Sequence, residues 1–362
     1  MVSHVSRNIC VLDLFRRSVG AYEELLMRLK DIDLIGQIGS LLSWDQEVMM
    51  PPKAALLRAE QIAWVSKTAH ERLTDSEIGG LLERLESNDE LSDVQEANIR
   101  LARETYDRAT RLPTEFVEEM AKHRSKSLVS WTEARENDDF SIFRDDLELS
   151  IEHARKKADF YGYKSLRYDA LLDLYESGLT VERLDPLFSG LRDNVAPLIK
   201  AVVDSGNRPD TTWIEENSWE QNAQEELSQR VSEAIGFDFS AGRRDLSTHP
   251  FCGGPNPDDV RWTTRYREDE PFGSLFGSMH ETGHGTYEQG RPRDFDFQPA
   301  GKANGLGVHE SQSRLWENQV GRSREFCEWS LPLWKQCFPD NMEGIGAEQL
   351  WQAVNLVEPG LI

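Results

Sequence analysis

A chain of 362 residues that is 38% hydrophobic holds enough apolar material for a large core, and its length alone is compatible with one domain or two. Its 41 basic and 64 acidic side chains leave a net charge of −23, a surface that repels phosphate backbones and anionic headgroups and so argues against nucleic acid or membrane as partners. No apolar run approaches the roughly 20 residues needed to span a bilayer, and the N-terminus lacks the apolar segment of a signal peptide. The four cysteines, Cys10, Cys252, Cys327 and Cys337, are scattered and form no Cys-x-x-Cys pair. That usage fits reduced, structural thiols in a cytoplasmic protein.

Residues 1–18 carry three arginines and one aspartate. Transit peptides share this composition, but it is read here as an N-terminal extension. From Tyr22 to about Tyr161 the pattern is helical. In "AYEELLMRLKDIDLIGQIGSLL" apolar residues recur every three or four positions, and "WDQEVMMPP" closes the stretch with a proline pair. "TDSE" (Thr74 to Glu77) and "SDVQ" (Ser92 to Gln95) have the form of capping boxes, each opening an amphipathic stretch. Pro113 suits the first turn of a long helix through "RLPTEFVEEMAKHRSKSLVSWTEAREN", whose charges solvate its outer face.

No repeat and no Gly/Ser- or Pro-rich linker divides the chain, so residues 19–362 are expected to form one domain. After Phe237 the texture changes. "FDFSAGRRDLSTHPF" and "DVRWTTRY" alternate and carry β-branched residues, and the turn-rich "CGGPNPD" separates them. A small sheet is predicted there, followed by a buried helix over "DEPFGSLFGSMHETGHGTYEQG" that ends at Gly290 and Pro292. The expected fold class is mainly α, with a small β-sheet beside this helix.

On that helix His280 and His284 stand one turn apart on one face, so two imidazoles can converge on one ion. Glu281 lies about 100° further round, beside the ligand face without occupying it, where a base for an activated water belongs. Gly283 keeps the helix slim next to His284, so another backbone can approach closely. A chance His-Glu-x-x-His in a chain of this length is on the order of one in a hundred. A catalytic zinc also needs a third protein ligand and an open position. "GLGVHESQSRLWENQV" offers His309 and Glu310 at the head of another amphipathic helix. Glu310 is the choice. His309 is the alternative, but adjacent helical residues diverge, which leaves it as a supporting or packed polar group.

These blocks, together with "LLSWDQEVMMPP", "HPF" at His249 to Phe251, "DVRWT" at Asp259 to Thr263 and "HESQS" at His309 to Ser313, resemble signature blocks of the thermostable carboxypeptidase Taq (M32) metallopeptidases over nearly the whole chain. The resemblance implies a mostly helical, generally homodimeric enzyme that removes single residues from peptide C-termini. It further implies one divalent metal, zinc or cobalt, held by His280, His284 and Glu310, with Glu281 as the base. The His-Glu-x-Gly-His form also resembles angiotensin-converting enzyme and the oligopeptidases, which keeps a related oligopeptidase or dipeptidyl carboxypeptidase as the alternative. In "HPF" the proline fixes the backbone, so His249 is either aimed at substrate or structural. Asp259, Arg261 and Thr263 share one strand face, and there an Asp–Arg pair can brace the cleft or the arginine can meet a peptide carboxylate. Trp44 and Asp45 are expected to buttress the cleft.

Family sequences continue beyond "NLVEPGLI" with a block beginning Ile-Arg, which Ile362 begins to match, and later a Gly-x-x-Gln-Asp-x-His-Trp block. The expectation is therefore a chain lacking the arginine for the substrate carboxylate and the segment that helps stabilise the oxyanion. Apolar helix faces over residues 311–358 would be uncovered, and metal binding would survive better than turnover. Arg261 is the only nearby substitute for that arginine. Three readings stay open: an active zinc carboxypeptidase, a metal-binding remnant with little turnover, and a helical scaffold with a chance motif.

Overall fold

The computed structural model describes residues 20–357; the extension over 1–18, Cys10 and Ile362 lie outside them. Among the described residues helices dominate and one three-stranded sheet accompanies them, which is the mainly α class expected. Backbone contacts group the described residues into two compact units, each discontinuous in sequence: 20–42, Ala55–Val129 and Pro292–Lys302 in one, Ser43–Ala54, Ser130–Arg291 and 303–357 in the other.

The first unit takes residues 21–42 of α1 (Ala21–Val48), followed by α2 (Ala55–Leu73), α3 (Ser76–Glu86) and α4 (Asp93–Thr110). Leu25 of α1, Ile78, Leu81, Leu82 and Leu85 of α3, and Ile99 and Ala102 of α4 make its core. Asn98 is wholly buried and fully used. Its amide donates to Tyr22 Oη and Gln298 Oε1, both at 2.8 Å, and its carbonyl accepts from Ala300 N at 2.8 Å, which pins residues 298–300 to α4.

The capping box at Ser92 forms as read: Ser92 N donates to Gln95 Oε1 at 2.9 Å and Gln95 N to Ser92 Oγ at 3.5 Å. The one at Thr74 does not. Asp75 is the N-cap of α3, its carboxylate accepting from Glu77 N at 2.9 Å, while Thr74 Oγ1 donates back to the His70 carbonyl at 2.8 Å. The reason is proximity. Helix α2 ends only at Leu73, so the Thr74 hydroxyl serves that helix's last turn, and the charged side chain one residue on takes the next helix's first N–H groups.

Pro113 stands directly ahead of α5 (Thr114–Glu136), its carbonyl accepting from Phe116 and Val117. The second unit continues through α6 (Arg144–Tyr161), α7 (Val181–Asp204) and α8 (Gln221–Ile235) to the sheet. Strand β1 (Gly242–Leu246) pairs parallel with β3 (Asp259–Thr264), and β2 (Cys252–Asn256) pairs antiparallel on β3's other side. "CGGPN", read as a turn, is thus a strand. It tolerates its glycines and proline because the register shifts between Gly253 and Asn256, and Gly254 (φ +146°) lies where a Cβ would stand 2.3 Å from the Asp259 carbonyl.

After the sheet come α9 (Pro271–Gln289), α10 (Leu306–Arg314) with a π-helical continuation Leu315–Val320, α11 (Arg324–Cys337) and α12 (Ala347–Val354). Trp219 is wholly buried at the centre of the core that joins α8, α9, α11 and α12, its ring edge-on to Phe338 at 5.0 Å and Trp334 at 5.9 Å. Phe326, Trp334, Leu350 and Val354 are buried in this core, so most of the face expected to be bare beyond 311 is covered. The exposed apolar face belongs instead to α7, with no buried residue and Leu187, Phe188, Leu191 and Leu198 all exposed. Cys252, Cys327 and Cys337 are free, and burial pushes the Cys327 thiol up to about 11. No helix among the described residues is long and apolar enough to cross a membrane.

The shifted cap gives a simple stability test. Asp75→Ala should cost about 1 kcal/mol in a denaturant melt, the usual worth of an N-cap carboxylate. Thr74→Ala, which spares that cap, should cost clearly less; the reverse order would restore Thr74 as the cap.

Candidate metal centre

All the residues of this site lie in the second unit. Helix α9 runs beside β3 and α8. It is fixed there by Thr282 Oγ1 against Ser232 Oγ at 2.8 Å, by Ser278 Oγ near Thr264 Oγ1 at 3.3 Å, and by Gly285, whose missing Cβ makes room for the Phe237 ring. Its other side meets α10. A Cβ on Gly283 would stand 2.6 Å from the Gln312 carbonyl oxygen and 2.7 Å from Ser313 Cα, so only glycine permits this approach. The close backbone contact brings Glu310 over the two histidines.

His284 Nε2 lies 3.3 Å and His280 Nε2 3.6 Å from Glu310 Oε2, and the ligand atoms of all three residues fall within 4.8 Å of one another. Ligands of a tetrahedral zinc, each about 2.0 Å from the ion, stand roughly 3.3 Å apart, so the two separations to Glu310 suit such an ion, and any ligand pair as far apart as 4.8 Å would have to close as the ion binds. The protons agree with this. His280 Nδ1 is 2.8 Å from Glu317 Oε2, and a carboxylate only accepts, so Nδ1 carries the hydrogen and a neutral His280 turns a lone pair towards Glu310. His284 Nδ1 is buried and has no hydrogen-bond partner among the described residues. The His280 lone pair and the Glu310 carboxylate thus converge with His284 Nε2 on one point, a donor set that could hold a divalent cation.

Electrostatics sharpens the picture. Burial, helped by the nearby His309 and His280, depresses His284 to about 4, so the imidazole is neutral and available as a ligand at physiological pH. Burial alone would depress His280 as well, but the Glu317 hydrogen bond and the Glu281 and Glu310 charges outweigh it and raise its pKa. Glu281 is 6% exposed. Burial pushes it up to about 7; His280 opposes the rise, while Glu310 and Glu317 add to it.

The other sequence candidates divide. His309 does not face the triad. Its ring stacks on His284 at 4.4 Å and its Nε2 is 2.9 Å from Glu288 Oε1. Asp259 and Arg261 form a two-pronged pair at 2.7 and 2.9 Å, with the guanidinium 5.9 Å over the Trp44 ring. Thr263 is wholly buried, and its hydroxyl accepts from Phe251 N at 3.0 Å and meets Ser247 Oγ at 2.6 Å, anchoring the "HPF" segment. Phe251 in turn packs edge-on to Trp44 at 5.3 Å. The His249 imidazole is exposed near Arg265 and Arg135. Sequence reading missed Glu317, Glu288 and Arg314. A signal for each existed: they stand seven residues after Glu310, four after His284 and four after Glu310, all same-face helical spacings.

Comparison with known proteins identifies the family. The model of the family described as carboxypeptidase Taq (M32) metallopeptidase matches residues 24–362. Thermostable carboxypeptidase 1 of Thermus thermophilus is 39% identical over 356 residues, spanning 94% of this chain and 69% of that protein. Among solved structures, the M32 carboxypeptidase of Deinococcus radiodurans superposes with a TM-score of 0.85 at 36% identity, covering 94% of this chain and 68% of the other. Trypanosoma cruzi metallocarboxypeptidase 1 gives 0.83 at 34% identity, covering 94% and 69%. The chain belongs to the carboxypeptidase Taq (M32) family and is a metallocarboxypeptidase by that membership, with a divalent metal and peptide substrates.

The Gly283 contact can be tested directly. Gly283→Ala should cost roughly 1–3 kcal/mol of stability by overpacking and should weaken metal binding, because Gln312 and Ser313 must retreat and carry Glu310 with them. Gly277→Ala on the same helix meets nothing within 4 Å and should be neutral or stabilising. Equal behaviour of the two variants in a melt and a metal titration would count against the contact.

Proposed function

We propose that this M32 family member is a zinc-dependent carboxypeptidase that hydrolyses the last peptide bond of its substrates, with His280, His284 and Glu310 as metal ligands and Glu281 as general base. The observation that carries the reading is the convergence of three ligand atoms within 4.8 Å directly beside a buried glutamate. Zinc, when bound, supplies a Lewis acid that polarises the scissile carbonyl and acidifies the attacking water.

The chain's own residues do the rest. Neutral His284 and the Nδ1-protonated His280 offer lone pairs, and Glu310 offers a negative oxygen, so the site is preorganised for a dication. Glu281 sits one residue from His280 on the same helix, beside the triad and outside it. Its carboxylate accepts a proton from the attacking water and returns it to the leaving amine nitrogen. A pKa near 7 in the ion-free site places Glu281 within reach of both protonation states, and added positive charge at the triad favours its ionised, proton-accepting form. His309 supports the site by stacking on His284, Asp259, Arg261 and Thr263 hold the strand and the segment around Phe251, and His249 is the one candidate with an exposed ring to offer a substrate. The family resemblance also supports a homodimer, and the free thiols a cytoplasmic setting.

Metal content decides the ligand set. The purified chain should hold one divalent ion, and His284→Ala should abolish it; full retention by that variant would show that the ion sits elsewhere. Glu281→Gln should keep the ion and lose at least about 10²-fold in hydrolysis of a blocked dipeptide, because the amide cannot accept the proton. Normal turnover by Glu281→Gln removes Glu281 from the mechanism.

A further inference from the structure

Glu310 and Arg314 on α10 and Glu317 on its π-helical continuation are spaced four and three residues apart, which stacks them on one face. Arg314 joins the two carboxylates. Its Nε donates to Glu310 Oε1 at 2.8 Å and its Nη1 to Glu317 Oε2 at 3.0 Å. The same Glu317 oxygen accepts from His280 Nδ1 at 2.8 Å. An unbroken chain therefore runs from Glu310 through Arg314 and Glu317 to His280, and its two ends, Glu310 Oε2 and His280 Nε2, face each other at 3.6 Å.

Two consequences follow from the donors and acceptors. Glu310 Oε1 accepts the charge-assisted bond from Arg314, while Oε2, which also accepts from Ser313 Oγ at 3.1 Å, is the oxygen 3.3 and 3.6 Å from the histidine nitrogens; an ion held through Oε2 alone would keep a position open for water or a substrate carbonyl. The Glu317 carboxylate fixes the hydrogen of His280 on Nδ1 and the lone pair on the triad side. Both carboxylates are held by one planar, forked cation, a geometry a lysine ammonium does not reproduce.

We infer that Arg314 is a positioning residue of the metal centre, tying Glu310 and Glu317 into one unit so that Glu310 ligates through a single oxygen and His280 is held with Nε2 inward. The inference rests on the metal-centre reading above. It also has a sign that separates it from simple charge effects. A cation beside a dication repels it, so a purely coulombic Arg314 would weaken metal binding and its removal would tighten it. A tether requires the opposite.

The test measures Zn²⁺ and Co²⁺ dissociation constants by chelator competition on the purified chain and on Arg314→Lys, Arg314→Met and Glu317→Gln. Thermal melts of the ion-free proteins establish that each is folded. Arg314 is 52% exposed, so its variants should melt like the parent. Both are expected to bind metal 10- to 100-fold more weakly, the usual effect of losing a group that orients a ligand. The visible spectrum of the Co²⁺ form should change as the second Glu310 oxygen becomes free. Parental or tighter affinity in either Arg314 variant overturns the inference. If those variants fail to fold, isosteric Glu317→Gln decides through the Co²⁺ spectrum, which a loss of charge alone does not reshape: an altered spectrum with weaker binding supports the tether, and an unchanged spectrum overturns it. No metal binding by the parent chain would remove the metal-centre reading itself.

Discussion

The contact on which the site depends is the one between the backbones of α9 and α10 at Gly283. Its missing Cβ lets the Gln312 carbonyl and Ser313 Cα approach to a distance that any other residue would forbid. Glu310 lies two residues before Gln312, so the contact also sets how far its carboxylate reaches over His280 and His284. Packed interiors transmit a displacement of a few tenths of an ångström instead of absorbing it. A hydrogen atom standing in for a methyl group on one helix therefore governs ligand spacing on both.

Charge makes the same point from another side. Glu281, Glu288, Glu310 and Glu317 crowd around His280, His284 and His309 and are offset by Arg291 and Arg314. Burial of so many carboxylates is unfavourable unless each is paired. Glu288 is paired with His309 and Arg291, and Glu317 with His280 and Arg314. Glu281 alone has no cationic hydrogen-bond partner in its surroundings, and burial accordingly lifts it to about 7. The group left without a charged partner is the one proposed to handle the proton. Perturbed acid–base groups gather at working sites for this reason.

Much of this was legible in the sequence. Helix periodicity, the proline stop after α1, the Ser92 box and the end of α9 at Gly290 are local signals, and each appears in the structure. The pair His280 and His284 and the need for a slim residue at Gly283 were also readable, since both follow from the geometry of one helix. What sequence could not supply was the partner of each side chain. "CGGPN" reads as a turn by composition, and becomes a strand only because β3 offers an edge that accepts an irregular register. Thr74 satisfies the capping pattern, yet the end of the preceding helix takes its hydroxyl first. Glu317 and Arg314 sat at readable spacings, but nothing in α10 alone says which of its faces meets α9.

The change from α to π geometry at Leu315 falls between the two carboxylates. Seven residues of ideal α-helix fall about 20° short of two full turns, so Glu310 and Glu317 would project almost in parallel from a straight helix. A wider π turn readjusts the second carboxylate relative to the first, a device found often beside functional sites. Here Glu310 faces Nε2 and Glu317 binds Nδ1 of the same imidazole, so one helix meets His280 at both nitrogens. The orientation of that ring is then set by α10 as much as by α9, which carries it. Helix packing, ligand direction and proton position at His280 are in this way one constraint, and that constraint is anchored where Gly283 meets Ser313.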